Sequence, residues 1–455
     1  MTIPLASLAR CFQGVVPCIV ATCAADGTPN VIYASQVYFV DDRHVALSCQ
    51  FFNKTRRNLD DNPHAAVQIY DPVTFDAYQL RLRFDHSETA GPLFDDMALR
   101  IAAIASQCGM TGVFRLRSAD VFEVDAVERI DDFLEPIDGA APPIEDPAAR
   151  RGELRGLQVI SERICRAVDL DQLLATTLAS LDELFGFRHS LVLVADDDDR
   201  LVTIASHGYD ARGIGAEVAL GEGLIGTVGR ERRLLRVGGV GQELRYGRAI
   251  RERIEATGGA AGLRPEIPLP GLADAHSQMA MPLVVEDRLV GVIAVESRDP
   301  LSFDEWHEAF LQIVANQIAI GIDRMVDDEP EAEDELETTT EVPLAASTRR
   351  FCFYRNDDCV FVDDEYLIRN VPGKILWKLL TAYQRDGRRE FANRELRLDP
   401  WLGLPPIKDN LESRLILLRR RLEDKCPDVR IVPVRRGRFA LAIDGPIELT
   451  ERDSG

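Results

Sequence analysis

Two clusters of cations stand out in a chain whose 75 Asp and Glu outnumber its 53 Lys and Arg. The first is Lys54-Thr55-Arg56-Arg57, three cations and a hydroxyl placed just before a predicted helix start. Unpaired backbone N–H groups at a helix N-terminus, joined by cations, suit a phosphate. The apolar strand ahead of them offers a floor for a flat aromatic ring. The second cluster lies in the last hundred residues. Leu411, Leu415, Leu418 and Leu422 fall at i, i+4, i+7 and i+11 and make one apolar helix face. Arg414, Arg419, Arg420 and Arg421 sit on its flanks and opposite side, and Arg435, Arg436 and Arg438 follow in a short hairpin. From Arg349 to Ile443 the chain carries 21 Lys and Arg against 14 Asp and Glu, although its net charge is -22. That tail attracts a polyanion that the remainder repels.

Other reactive residues carry less. Cys11, Cys18, Cys23 and Cys49 cluster early, but no CxxC pair occurs among the nine cysteines. A metal or redox role competes with the commoner reading of small buried core thiols. His207, His276 and Cys165 lack the spacing of an attachment site and read as surface or core residues. No catalytic residue and no metal ligand is assigned. No apolar run approaches the roughly 20 residues of a membrane helix. The stretch Cys11 to Ala25 contains Pro17 and runs into the turn Asp26-Gly27-Thr28-Pro29, so it reads as a strand and not a signal peptide. The expectation is a cytoplasmic protein without disulfides and without a membrane.

These clusters need elements to hold them. The length suggests about three domains. Two stretches read as linkers: 136–149, rich in Pro, Ala and Gly, and 326–348, with nine acids and no base between Asp327 and Glu341. A run so acidic could mask the basic tail. The linkers leave segments 1–135, 150–325 and 349–445. The first alternates short apolar runs with turns and has one clear helix, Pro92–Ser106, as in a small β-barrel. The second opens with helices Leu154–Val168 and Asp171–Phe185 and closes with a hairpin and a helix from Phe303 to Met325. In that last helix Leu311, Val314, Ile318 and Met325 take a/d-like positions, with Ile322 beside them. Such a seam either pairs two copies of the chain or packs on its own sheet. The third segment has short strands, three helices and a hairpin.

On these residues the first segment resembles the pyridoxamine 5'-phosphate oxidase-like, FMN-binding split barrel: the Asp-Gly-Thr-Pro hairpin, the strand ending Leu47-Ser48-Cys49-Gln50, the Lys-Thr-Arg-Arg-Asn-Leu loop, then Asn62-Pro63-His64-Ala65-Ala66-Val67. The resemblance implies Lys54, Thr55 and Arg57 as phosphate contacts. It implies Ser48, Gln50 and Gln68 as contacts to the flavin edge. Relatives also use this barrel for haem, deazaflavin or nothing. The second segment resembles a GAF domain, through Gly221-Glu222-Gly223-Leu224-Ile225-Gly226 and the hairpin running from Met279 to Glu296. That implies a small-molecule sensor, its ligand unnamed, dimerising through terminal helices. The third resembles the winged helix-turn-helix output domain of response regulators. Val371–Leu380 is its first helix, Phe391–Leu396 its positioning helix with Asn393 as N-cap, and Ile407–Glu423 its recognition helix. The implied contacts to double-stranded DNA are Lys408, Asn410 and Arg414 toward the groove, Arg419, Arg420 and Arg421 along the helix, and Arg435, Arg436 and Arg438 on the wing.

The fold class expected is therefore multidomain α+β: a split β-barrel, a GAF sandwich of antiparallel sheet with helices, and a winged helix. The function expected is a one-component transcription regulator, a homodimer answering a redox or small-molecule effector. The alternative is an FMN-dependent oxidoreductase with regulatory GAF and winged-helix domains, since flavin needs few protein groups for its own chemistry.

Overall fold

The computed structural model describes residues 3–50, 54–130, 147–196, 199–209, 213–256, 271–272, 274–327, 348–355, 358–404, 411–435 and 437–452. The two linkers fall largely outside them, as do Lys408, Asn410 and Arg436.

The first module is a curled sheet. A 3-10 segment, Leu5–Gln13, precedes β1 (Cys18–Cys23), β2 (Pro29–Ala34), β3 (Tyr38–Phe39) and β4 (His44–Cys49). Helix α1 (Lys54–Asp61), β5 (His64–Tyr70), β6 (Ala77–Glu88), helix α2 (Pro92–Gln107) and β7 (Ser118–Ile130) follow. The strands run β2-β1-β5-β6-β7-β4-β3, every neighbour antiparallel. Alternation decides the faces: Cys18 and Val20 of β1 and Ala65, Val67 and Ile69 of β5 turn inward, with Leu80, Leu82 and Phe122.

The central module has α3 (Pro147–Arg166), α4 (Leu170–Phe185), β8 (His189–Ala195), β9 (Arg200–His207), β10 (Glu217–Ala219), α5 (Gly223–Glu231), β11 (Leu235–Val237), α6 (Val240–Ala256), β12 (Ser277–Val285), β13 (Arg288–Ser297) and α7 (Glu305–Asp327). Its sheet runs β10-β9-β8-β13-β12-β11. Asp169 starts α4 by accepting from the Gln172 amide at 2.8 Å, and Gly186, in the left-handed region, ends it. Both sheet faces are covered, so β12 and β13 read as nearly continuous apolar runs. Met279, Met281, Ile293 and Val295 meet α4 and α7 on one face. Ala280, Val292 and Ala294 meet α5 and α6 on the other, joined there by Leu99, Ala103, Cys108 and Met110 from α2 and the turn after it. The first two modules thus share a core.

The α7 seam is used inside the module: Leu311, Val314, Ile318 and Ile322 are fully buried in that first core. Among the described residues, the large apolar side chains that α7 shows to the outside are Trp306, Ile313 and Ile320, seven apart.

The tail contains β14 (Arg349–Tyr354), β15 (Cys359–Val362), β16 (Glu365–Ile368), α8 (Asn370–Asp386), β17 (Glu390–Ala392), α9 (Asn393–Arg397), α10 (Leu411–Lys425), β18 (Val429–Arg435), β19 (Arg438–Ile443) and β20 (Ile447–Arg452). One sheet runs β16-β15-β14-β20, with β14 and β20 parallel, and a second runs β17-β19-β18. The last strand lies beyond residue 445, where the sequence reading closed the module. Leu411, Leu415, Leu418 and Leu422 do fill the tail's core with Phe351, Leu376 and Phe439. Asn393 is not a cap: it is the first helical residue of α9, and its amide donates to Glu412, tying α9 to α10. Among the described residues no helix is long and apolar enough to cross a membrane.

Candidate functional site

The barrel places its cationic loop against β1 and β2. The N-terminus of α1 is held by a buried polar chain. The Asn58 amide donates to Thr22 Oγ1 at 3.1 Å, and the Asn30 amide donates to Thr55 Oγ1 at 2.9 Å. Thr55 itself is buried at this helix end. Lys54 Nζ lies 3.5 Å from the Pro29 carbonyl, and both Lys54 and Arg57 are exposed. Lys54, Thr55 and Arg57 thus lie together in the first turn of α1.

Arg56 departs from the reading of a three-cation loop. Its guanidinium is 3.0 Å from buried Asp120, donates to Ser87 at 2.8 Å and lies over the Phe84 ring. Asp120 also accepts from Ser118 at 2.8 Å, so Arg56 fastens α1 to β6 and β7. Ser48 and Gln50 come together, the Gln50 amide donating to Ser48 Oγ at 3.3 Å. Gln68 lies elsewhere. It faces outward on β5 opposite Ile19 and Gln79, and β6 and β7 separate β5 from β4 in the sheet. Burial pushes the thiols of Cys11 and Cys18 up to about 12, so neither is a thiolate at neutral pH. Among the described residues no group of His, Cys, Asp and Glu is arranged to hold a metal ion.

In the central module the glycine turn before α5 is sterically required. Gly221 and Gly223 have positive φ, and a Cβ on Gly226 would lie 2.2 Å from the Ala219 carbonyl oxygen. The module also holds a buried carboxylate that sequence reasoning passed over. Glu296 accepts from Leu272 N at 2.7 Å, Gln278 Nε2 at 2.8 Å and the Tyr209 hydroxyl at 3.0 Å. Burial pushes the Glu296 carboxyl above the usual range, and burial beside it pushes the Tyr209 phenol up too. An acid inside an apolar strand was the available signal. His207 pairs with Asp182 at 3.0 Å, and Cys165 is exposed.

Comparison with known proteins matches the family described as "Pyridoxamine 5'-phosphate oxidase" to residues 6–129, and the one described as "GAF domain" to residues 167–323. The chain joins a pyridoxamine 5'-phosphate oxidase-like domain to a GAF domain. Together these mark a sensory or regulatory protein. Among solved structures, the GAF domain from Acinetobacter phosphoenolpyruvate-protein phosphotransferase is 19% identical, covers 37% of this chain and 91% of that one, and has a TM-score of 0.30. Free methionine-R-sulfoxide reductase from Neisseria meningitidis is 21% identical, with 39% and 90% covered and a TM-score of 0.30. An FMN-binding protein from Syntrophomonas wolfei is 14% identical, with 27% and 85% covered and a TM-score of 0.23. No curated protein matches the chain.

The basic residues of the tail take several positions relative to the GAF domain. Arg420 donates to the Ile204 carbonyl at 2.6 Å and to Asp171 at 2.5 Å, leaving its side chain 16% exposed. Arg421 donates to the Leu367 carbonyl at 3.1 Å and lies over Tyr366, within the tail. Both were expected to contact DNA along the helix; here both are engaged by the chain itself. Arg414 lines a small cavity with Ile204 and Glu217 of the GAF domain. Arg419 borders a larger cavity of about 600 Å³ at the same junction, with Asp169, Arg324 and Arg438. Arg438 is exposed, and Arg435 ends β18.

Proposed function

We propose that the protein is a signal-responsive transcription regulator. The pyridoxamine 5'-phosphate oxidase-like domain holds FMN, the GAF domain takes a small-molecule effector, and the tail is a winged helix that binds double-stranded DNA. The observation that carries this reading is the order of elements in the tail. Helices α8, α9 and α10 are followed by the hairpin β18–β19, on a module with an excess of cations. One element for a groove and one for the backbone is what duplex recognition requires. Arg435, Arg436 and Arg438 would meet phosphates from the hairpin, and Lys408, Asn410 and Arg414 would meet base edges.

In the barrel, Lys54 and Arg57 would neutralise the FMN phosphate at the start of α1. Thr55 would add its hydroxyl to the same group. Ser48 and Gln50 would meet the ring edge, without Gln68. The flavin supplies redox chemistry when bound; the protein's residues hold and orient it. The chain is expected to act as a homodimer, with the outward stripe Trp306, Ile313 and Ile320 as the contact.

The experiment is a pair of measurements on the full chain. The visible spectrum with and without added FMN tests the barrel. Fluorescence anisotropy with a mixed-sequence duplex, from 50 to 200 mM salt, tests the tail. Binding that falls with a log–log slope of about -0.9 for each phosphate neutralised is expected. A protein that stays colourless with FMN, or binds duplex with no salt dependence, refutes the corresponding half.

A further inference from the structure

The two long faces of α10 are both buried. The leucine face fills the tail's own core. The opposite face, Ser413, Ile416 and Arg420, lies against the GAF domain, with Leu417 at its edge between that domain and the tail's core. Ile416 is only 2% exposed and belongs to the GAF core that contains Leu170, Leu173 and Ile204. Gly215 comes so close that a Cβ there would be 3.4 Å from Leu417 Cδ1. Arg420 reaches the Ile204 carbonyl and Asp171. A second tether lies alongside, where Arg369 pairs with Glu217 through both of its carboxylate oxygens.

We propose that this face of α10 is a shared interaction surface, taken either by the GAF domain or by duplex DNA, so that the docked arrangement is autoinhibited. The proposal rests on the reading of the tail as a DNA-binding module. A helix lying in a major groove must present the face away from its own core. On α10 that is the face already covered. Its guanidinium is engaged by a carboxylate and a carbonyl in place of phosphate oxygens. Its apolar residues suit either an apolar core or the methyl groups of thymine. Two partners that need one surface exclude each other. The apparent affinity for duplex is then the intrinsic one reduced by the undocked fraction. Signals that disturb β9, β10 or the start of α4 act directly on the surface holding the helix.

The principal variant alters only the GAF side. Asp171→Ala with Glu217→Ala removes both tethering carboxylates and leaves every tail residue in place. Glu231→Ala with Asp287→Ala makes the same change in charge outside the contact. Arg369→Ala breaks the second tether from the tail, away from α10. Amide exchange of α10 reports docking, and anisotropy with a mixed-sequence duplex at fixed salt reports binding. The expected result is faster exchange of α10 and affinity at least tenfold tighter, about 1.4 kcal/mol. Both are expected in the first variant, in weaker form in Arg369→Ala, and not in the control. Unchanged exchange, or faster exchange with wild-type affinity, overturns the proposal while leaving DNA binding intact. Absence of duplex binding by every variant at low salt overturns the DNA reading itself, and the contact is then a fixed strut.

Discussion

The Ser106 hydroxyl bridges two domains: it accepts from the Gly223 amide at 2.8 Å and donates to the Gly221 carbonyl at 3.2 Å. The last turn of a barrel helix thereby serves the first turn of a GAF helix. Arg100 adds to the junction, donating to the carbonyls of Gln13 at 3.1 Å and Arg236 at 3.3 Å. Arg251 donates to the Cys108 carbonyl at 2.9 Å.

A junction with a common core unfolds as one unit. Calorimetry of the full chain is expected to show the barrel and GAF domains melting in a single transition. Ser106→Ala leaves the buried Gly223 amide without its acceptor and lowers stability by about 1–3 kcal/mol. Two well-separated transitions for these domains in the wild type would contradict the shared core.

Lys54 and Arg57 are exposed and Arg56 is not free, so the three cations separate by experiment. Lys54→Ala with Arg57→Ala is expected to weaken FMN binding at least tenfold, followed by flavin fluorescence, with little change in melting temperature. Arg56→Ala deprives buried Asp120 of its cation and is expected to cost about 1–3 kcal/mol of stability. Equal loss of FMN affinity in both variants without destabilisation by Arg56→Ala would reject this division.

Glu296 sets a pH dependence whose sign is fixed by its burial. Its carboxyl titrates higher in the folded chain than in the unfolded one. Its contribution is therefore complete below the unfolded carboxyl range and declines as pH rises through the folded value. Glu296→Gln keeps an acceptor for Tyr209 and Leu272 and turns an amide toward Gln278, whose own oxygen is buried without a partner. Urea midpoints from pH 5 to 9 should fall with pH in the wild type. They should be flatter, and no lower above neutrality, in the variant. A wild-type midpoint flat across that range would count against the argument.

The stripe on α7 separates assembly from folding. Ile313→Glu with Ile320→Glu changes outward residues and is expected to halve the mass measured by light scattering while the circular dichroism stays native. Leu311→Glu buries a charge in the core and should unfold the GAF domain. A wild-type chain with the mass of one copy would remove the assembly.

Local pattern carried most of the elements. Alternation located the barrel strands, and i, i+4 spacing located α2, α4 and α7, because burial of a face imposes those periods on adjacent residues. Partners distant in sequence were not legible. Nothing in the spacing of α10 tells that Arg420 meets Asp171, 249 positions away. The α7 seam shows why: apolar residues at a/d spacing look alike whether a second helix or the chain's own sheet covers them. Arg56 and Arg57 are adjacent cations in the sequence. Only the strands that α1 packs on decide that one meets a buried acid and the other solvent. Lys54, Thr55 and Arg57 were legible as neighbours in one short run, whereas Gln68 and Ser48 were joined only by family likeness.

Strands β14 and β20 run side by side in the same direction through six residue pairs, from Arg349 with Ile447 to Tyr354 with Arg452. The strand that receives the acidic tether is therefore gripped lengthwise by the one that closes the tail. Tension arriving at Arg349 loads that ladder in shear, all rungs together, instead of peeling them singly. The tail should consequently be dragged as a rigid cargo long before it gives way.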